Sequence, residues 1–366
     1  MAETTNSKSD PDTESASGSE TQEKVHGVLY IGVDLGTSRT AISASNGVRE
    51  SMQSVVGYPK DVVSRKLLQK EVLFGDEAVA KRLSLSMYRP LEKGVLKHSE
   101  TGSDKPDDNV RAARDLIEAA IGMAKARQDE LVYAVIGVPA EASVRNKEAI
   151  LEAARASVDS VMLCSEPFAV AYGLEMLDDV LVVDIGAGTT DLCRMHGTMP
   201  EETDQITSQV AGDAVDAELA RLIGEACPGA QFSTQMIKEI KERHAYLGEP
   251  SERCMIELPV DGKPTSFDVT DVVRDACSII VDPIVDGITQ LVSSFDPEFQ
   301  HKLRGRVLLA GGGSMIRGLD SAIEVVMGTK LGGGKVVRIE EPIYGGANGA
   351  LKVAHDMPED YWEKLK

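Results

Sequence analysis

Two short stretches far apart in the chain repeat one pattern, and that repetition narrows the possible folds more than any other feature. Val180-Leu181-Val182-Val183-Asp184-Ile185-Gly186-Ala187-Gly188-Thr189-Thr190-Asp191-Leu192 reads as a buried strand of β-rich residues tipped by an aspartate, then a glycine turn. Tyr30-Ile31-Gly32-Val33-Asp34-Leu35-Gly36-Thr37-Ser38-Arg39-Thr40 sets strand, aspartate, apolar residue and glycine in the same order. Thr189, Thr190 and Leu192 continue as a returning strand, so each copy reads as a hairpin. A dinucleotide-binding turn is excluded: Asp191 stands where its third glycine is needed, and no helix follows directly. Duplication at this spacing predicts one domain folded against its twin.

A carboxylate beside a ring of free backbone N–H groups suits a metal-bound polyphosphate. The acid holds the cation or its waters while the amides hold phosphate oxygens. One aspartate at a strand end is ordinarily a turn former, and a single such hairpin is ordinarily only a hairpin. Two facing copies would pinch a phosphate chain between them.

This pair of hairpins resembles the signature of the actin, heat-shock chaperone and sugar kinase ATPases. A third element, Val307-Leu308-Leu309-Ala310-Gly311-Gly312-Gly313-Ser314-Met315-Ile316-Arg317-Gly318, is similar to the family's adenosine motif. The resemblance implies an α/β fold: duplicated actin-like (ribonuclease H-like) domains with a nucleotide cleft between them, each with a small insertion subdomain. It also implies ATP and Mg²⁺. Asp34 and Asp184 are the expected metal carboxylates, mostly through water, since Mg²⁺ gives up its hydration shell reluctantly. Backbone at Gly36, Thr37 and Ser38 and at Gly186, Ala187 and Gly188 is expected on the β- and γ-phosphates, with Thr189 and Gly212 completing that part of the site. Gly311, Gly312, Gly313 and Ser314 would lie against the adenosine.

Two further assignments rest on the same resemblance. Ser165-Glu166-Pro167-Phe168-Ala169-Val170-Ala171-Tyr172-Gly173 is similar to the segment whose glutamate orients the attacking water, which makes Glu166 catalytic together with Asp34 and Asp184. By composition alone Glu166 is an acidic residue favoured at a helix N-terminus. Ile240-Lys241-Glu242-Arg243-His244-Ala245-Tyr246 resembles the actin segment at the base and ribose, implying Lys241 against the base and Glu242 on a ribose hydroxyl. Without the resemblance it is an exposed helix of mixed charge. Lys335, after three glycines, is no P-loop lysine, because Thr329 and Val336 occupy positions that need glycine and Ser or Thr. His98, His196, His301 and His355 form no catalytic arrangement.

The expected organisation is an acidic disordered tail at 1–26, too poor in apolar residues to order itself. A first core domain (IA) takes 27–51, 92–175 and 340–366, with an insertion (IB) at 52–91. A second core domain (IIA) takes 176–213 and 270–339, with an insertion (IIB) at 214–269. A third strand is placed at 41–45, a flexible stretch at 97–109, and a helix at 110–126. Ser143 and Thr270 are read as helix caps and Pro283 as a break or kink.

Composition removes several function classes. A net charge of −20 argues against nucleic acid and anionic membranes as direct partners. No run of about 18 apolar residues predicts a membrane span, and no secretory signal opens the chain. Five scattered cysteines without a Cys-x-x-Cys read as core residues of a cytoplasmic protein, and no zinc site is expected.

Within the superfamily the chain lacks a chaperone's peptide-binding region, a sugar kinase's sugar-facing base, and a terminal amphipathic membrane helix. Residues 28–362 resemble the magnetosome-associated bacterial actins, on 54–61, 135–140, 165–173, 183–191, 310–319 and Asp360-Tyr361-Trp362. The acidic leader is longer, and the chain after Trp362 shorter, than that pattern. The resemblance implies a cytoplasmic homopolymeric filament that positions magnetosome organelles, with organelle-associated adaptor proteins as partners and no direct membrane insertion. The competing class is a monomeric kinase or phosphatase of small molecules on the same scaffold.

Overall fold

The structure, a computed structural model, describes residues 27–97 and 108–365. The expectations for the tail at 1–26, for His98 and for most of the 97–109 stretch lie outside the described residues.

The apolar, β-rich segments pair into two five-stranded sheets. The first runs Ser160–Ser165, Glu130–Val138, Gly27–Leu35, Arg39–Ala44, Arg49–Gln53. The second runs Val336–Arg338, Val307–Ala310, Val180–Ile185, Thr190–Met195, Gln205–Ser208. Each has three strands in antiparallel meander and two parallel strands on the far side of the first. Leu35 pairs with Thr40 and Ile185 with Thr190, so the hairpins share one register. Asp34 and Asp184 therefore end their strands at equivalent positions, and the fold is the duplicated actin-like one.

The third strand of the first sheet is Arg49–Gln53, whereas residues 41–44 belong to the returning strand of the hairpin. The chain turns at Asn46 and Gly47, with Gly47 N–H on the Ala44 carbonyl at 2.9 Å, later than the apolar run suggested. Strands Val56–Pro59, Leu73–Phe74 and Leu85–Tyr88 then form a small sheet of their own around Val55, Leu73, Ala78 and Leu85. In the second half, helices Gly212–Ala226 and Thr234–His244 and the hairpin Met255–Val260/Lys263–Asp268 form the corresponding insertion.

Ser143 accepts the Asn146 N–H at 3.3 Å and caps Val144–Ala154. Thr270 does not cap. It is the first residue of Thr270–Ser278, and Asp268 Oδ1 accepts both its N–H (3.1 Å) and its hydroxyl (2.6 Å). The Thr270 hydroxyl oxygen is meanwhile committed to Cys254 N–H at 2.8 Å, so a carboxylate two residues upstream takes over the end. Pro283 sits in the first turn of Val281–Ser293, and the break expected of it falls one turn upstream, at Ile279 and Ile280, where its missing N–H leaves the Ile279 carbonyl without an i+4 donor. By length and composition the stretch Thr270–Ser293 is apolar enough to cross a membrane, contrary to the sequence expectation. Here its apolar face (Ile284, Ile288, Leu291) is buried in the core of the second half.

Helices Glu166–Gly173 and Gly345–Asp356 cross between the two halves, where one hydrophobic cluster takes residues from both sheets. They touch backbone to backbone. A Cβ on Gly349 would land on the Ala169 carbonyl, so no other residue permits that approach. Trp362 closes the cluster from the chain's end. It is fully buried and stacks on Tyr133 at 5.0 Å, with its indole N–H on the Ala354 carbonyl at 3.3 Å. Trp362→Ala is expected to cost about 3–5 kcal/mol of stability, read as a lower urea midpoint. An unchanged midpoint would mean that this terminal segment does not pack as described.

Candidate functional site

The two hairpins approach tip to tip across a cleft with a cavity of about 470 Å³. Their closeness depends on glycine: a Cβ on Gly188 would meet Thr37 Oγ1 at 2.5 Å and Lys93 Cα at 2.7 Å. The Thr37 hydroxyl accepts the Gly94 N–H at 3.0 Å, and Ser54 donates to the Gly36 carbonyl at 2.6 Å, fixing the first turn. The second is fixed by Gly212 and Asp213, whose N–H groups bond the Gly186 (3.1 Å) and Ala187 (2.7 Å) carbonyls.

Asp34, Gly36, Thr37, Ser38, Glu166, Asp184, Gly186, Ala187, Gly188, Thr189 and Gly212 all border this one cavity. Lys241, Glu242, Gly311, Gly312 and Gly313 line it as well, Gly311 lying against the Asp184 carboxylate. Ser314 does not border it: the side chain is buried and its hydroxyl donates to the Gly311 carbonyl at 2.7 Å, bracing the glycine loop from behind. The Lys241 ammonium is taken by protein, at 2.8 Å from the Gly212 carbonyl and 2.9 Å from Asp216.

The cavity floor is acidic and dry. Glu166 is 9% exposed, Asp184 6%, and Asp191, opposite Asp184 in the hairpin, 1%. Burial pushes the Asp34 carboxyl up to about 7. Burial, then the charges of Asp34 and Asp191, holds Glu166 and Asp184 well above the usual carboxylate range. Asp191 is raised by burial too, although Thr207 and the Ala140 N–H bond its Oδ1 at 2.5 and 2.9 Å. Its other oxygen is buried without a partner.

Such a floor lacks positive charge. Carboxylates that border a cavity without a cationic partner on its floor suit a hard, oxygen-seeking cation. Among the described residues no group of three His, Cys, Asp or Glu encloses a metal. Asp34 and Asp184 end equivalent strands on this floor.

Sequence reasoning missed two residues here. Asp191 was noticed only as the wrong residue for a dinucleotide turn, yet the hairpin register sets it beside Asp184. Lys238, 8% exposed and one turn before Lys241, reaches across the cleft to the Ser38 hydroxyl at 2.5 Å. The i, i+3 spacing of the two lysines was the available signal.

The sequence model of the family described as MreB/Mbl protein matches residues 29–360. The actin-like protein MamK of Paramagnetospirillum magneticum (strain ATCC 700264 / AMB-1) is 39% identical over 337 residues, 92% of this chain and 95% of that one. A solved MamK double helical filament superposes with a TM-score of 0.86 at 39% identity, covering 91% of this chain and all (100%) of its own. A non-polymerising MamK mutant bound to AMPPNP gives 0.68 at 39% identity, over 90% and 100%. The chain belongs to the MreB/Mbl family of actin-like proteins, among its MamK relatives.

Proposed function

We propose that this chain is a cytoplasmic ATPase that assembles into nucleotide-dependent filaments and, through adaptor proteins, aligns and positions magnetosome organelles. The observation that carries the reading is its likeness to a MamK filament subunit over 91% of its length, with a TM-score of 0.86. The acid-tipped hairpins supply the chemistry. AMPPNP is the nucleotide in a solved MamK mutant, which supports ATP for this cleft.

In this reading the turns at 36–38 and 186–188 hold the β- and γ-phosphates by backbone N–H groups. The glycine loop at 311–313 faces the adenosine, and Glu242, with its side chain about half-exposed at the cavity edge, meets the ribose. Mg²⁺ bound at Asp34 and Asp184 would neutralise charge on the phosphates. Glu166 orients the water, since phosphoryl transfer to water depends on placement and charge stabilisation. Nucleotide draws the two halves together and favours assembly, and hydrolysis loosens the subunit contacts.

Sedimentation with and without Mg-ATP, followed by electron microscopy of the pellet, tests the proposal. A pelletable polymer that depends on nucleotide is expected. A persistent monomer whose turnover rises with an added sugar or acid overturns it in favour of a small-molecule kinase.

A further inference from the structure

The cavity is polarised. Its floor holds Asp34, Glu166 and Asp184, with Asp191 buried behind Asp184, while Arg39, Lys238 and Lys241 stand elsewhere on its lining. Lys238 stands on that lining where the charge of Glu242 and then those of Arg89, Lys241 and Arg39 act on it. An ammonium has three donors to satisfy. Lys241, on the same helix, spends its donors on the Gly212 carbonyl and Asp216. Lys238 has the Ser38 hydroxyl at 2.5 Å, and its nearest carboxylate, Glu242, is 3.8 Å away with most of its side chain in solvent. A buried cation whose hydrogen-bond partner is one neutral hydroxyl, with Glu242, Asp213 and Asp216 acting on it only through space, keeps donors for a further anion. The side of the cavity it borders is the hairpin turn at 36–38.

We propose that Lys238 is a positioning residue for the triphosphate tail, gripping it from the second half while its bond to Ser38 keeps the first-half hairpin closed over it. The proposal rests on the nucleotide-cleft reading given above. It assigns this lysine two tasks that the duplicated hairpins do not perform. The hairpins contact phosphate from within their own sheets, whereas Lys238 is carried by the Thr234–His244 helix of the insertion. Retention of the tail and closure of the cleft then depend on one side chain. Loss of the terminal phosphate removes part of its anionic partner, leaves the bond to Ser38 as the main tie, and lets the insertion swing away.

The test compares release of fluorescently labelled ATP and ADP, by stopped flow, from the parent, Lys238→Met and Lys238→Arg. Lys238→Met keeps the length and apolar stem and removes the charge. It is expected to release ATP roughly tenfold faster, the loss of one charge-assisted contact, and ADP less than about threefold faster. Lys238→Arg should restore most of the retention. Melting of the nucleotide-free protein should shift little, because only one hydroxyl bond is lost. Equal acceleration of ATP and ADP, accompanied by a lower melting temperature, would make Lys238 a structural tie and overturn the proposal. A parent that retains labelled ATP beside a Lys238→Met variant releasing it at the parental rate overturns this inference alone. A parent that holds no labelled ATP overturns the nucleotide-cleft reading with it.

Discussion

Asp184→Ala is expected to lose Mg-ATP binding by at least about a hundredfold, close to 2.8 kcal/mol, and with it assembly, while the nucleotide-free protein stays at least as stable as the parent. The two halves of that result come from one cause. Asp184 is buried near Asp34, Asp191 and Glu166, and burial and their charges hold its carboxyl well above its ordinary value. Those charges repel one another in a medium that screens poorly, so removing one relieves strain. In the proposed reading a cation arriving with nucleotide would reverse the sign of that strain. Asp34→Ala should behave alike, since Asp34 occupies the same register at the end of the first hairpin. Thermal shift separates binding from folding. A ligand at a hundredfold excess over its Kd stabilises by about 2.7 kcal/mol, so the parent should melt higher with Mg-ATP and both variants should not move. If either variant bound Mg-ATP and pelleted as the parent does, the acid pair would not be the cation site.

How much of this was open to inspection in the chain itself differs by element. The hairpins were, because strand, aspartate and glycine are local patterns and the second copy restated the first. Pro139, Ser143 and the helices around them were legible for the same reason: a break, a cap and a 3.6-residue period act within one turn. The misses have non-local causes. Thr270 has the right chemistry for a cap, but its oxygen is taken by Cys254, sixteen positions upstream. Ser314 sits within a loop that otherwise faces the cavity, and only the path of Gly311 decides that its hydroxyl turns back. Lys241 bears the expected charge, yet Asp216 claims it from a neighbouring helix. Lys238 contacts a residue 200 positions away, and nothing in its surroundings in the sequence announces Ser38.

Glu166→Ala should abolish hydrolysis, a fall of about 10²–10⁴-fold, yet leave ATP affinity within a few-fold of the parent and give filaments that persist. The alternative explanation of Glu166 is that an acid is favoured at a helix N-terminus, and its position at the start of Glu166–Gly173 does fit. That explanation predicts an exposed carboxylate with a depressed pKa. The observed one is buried, faces the cavity, and is held well above its usual range by burial and by Asp34, Asp191 and Asp184. Its side chain lies over Gly137, the residue paired with Asp34 in the first sheet. The carboxyl is therefore beside the two hairpin turns without belonging to either, where it would be placed to orient a water in the proposed reading. In the proposed reading clamping and hydrolysis would fall to different side chains and be separable by mutation: Asp34 and Asp184 for retention, Glu166 for turnover. Phosphate release and filament disassembly, followed together after a pulse of ATP, decide the matter. Parental phosphate release from Glu166→Ala would remove Glu166 from the reaction.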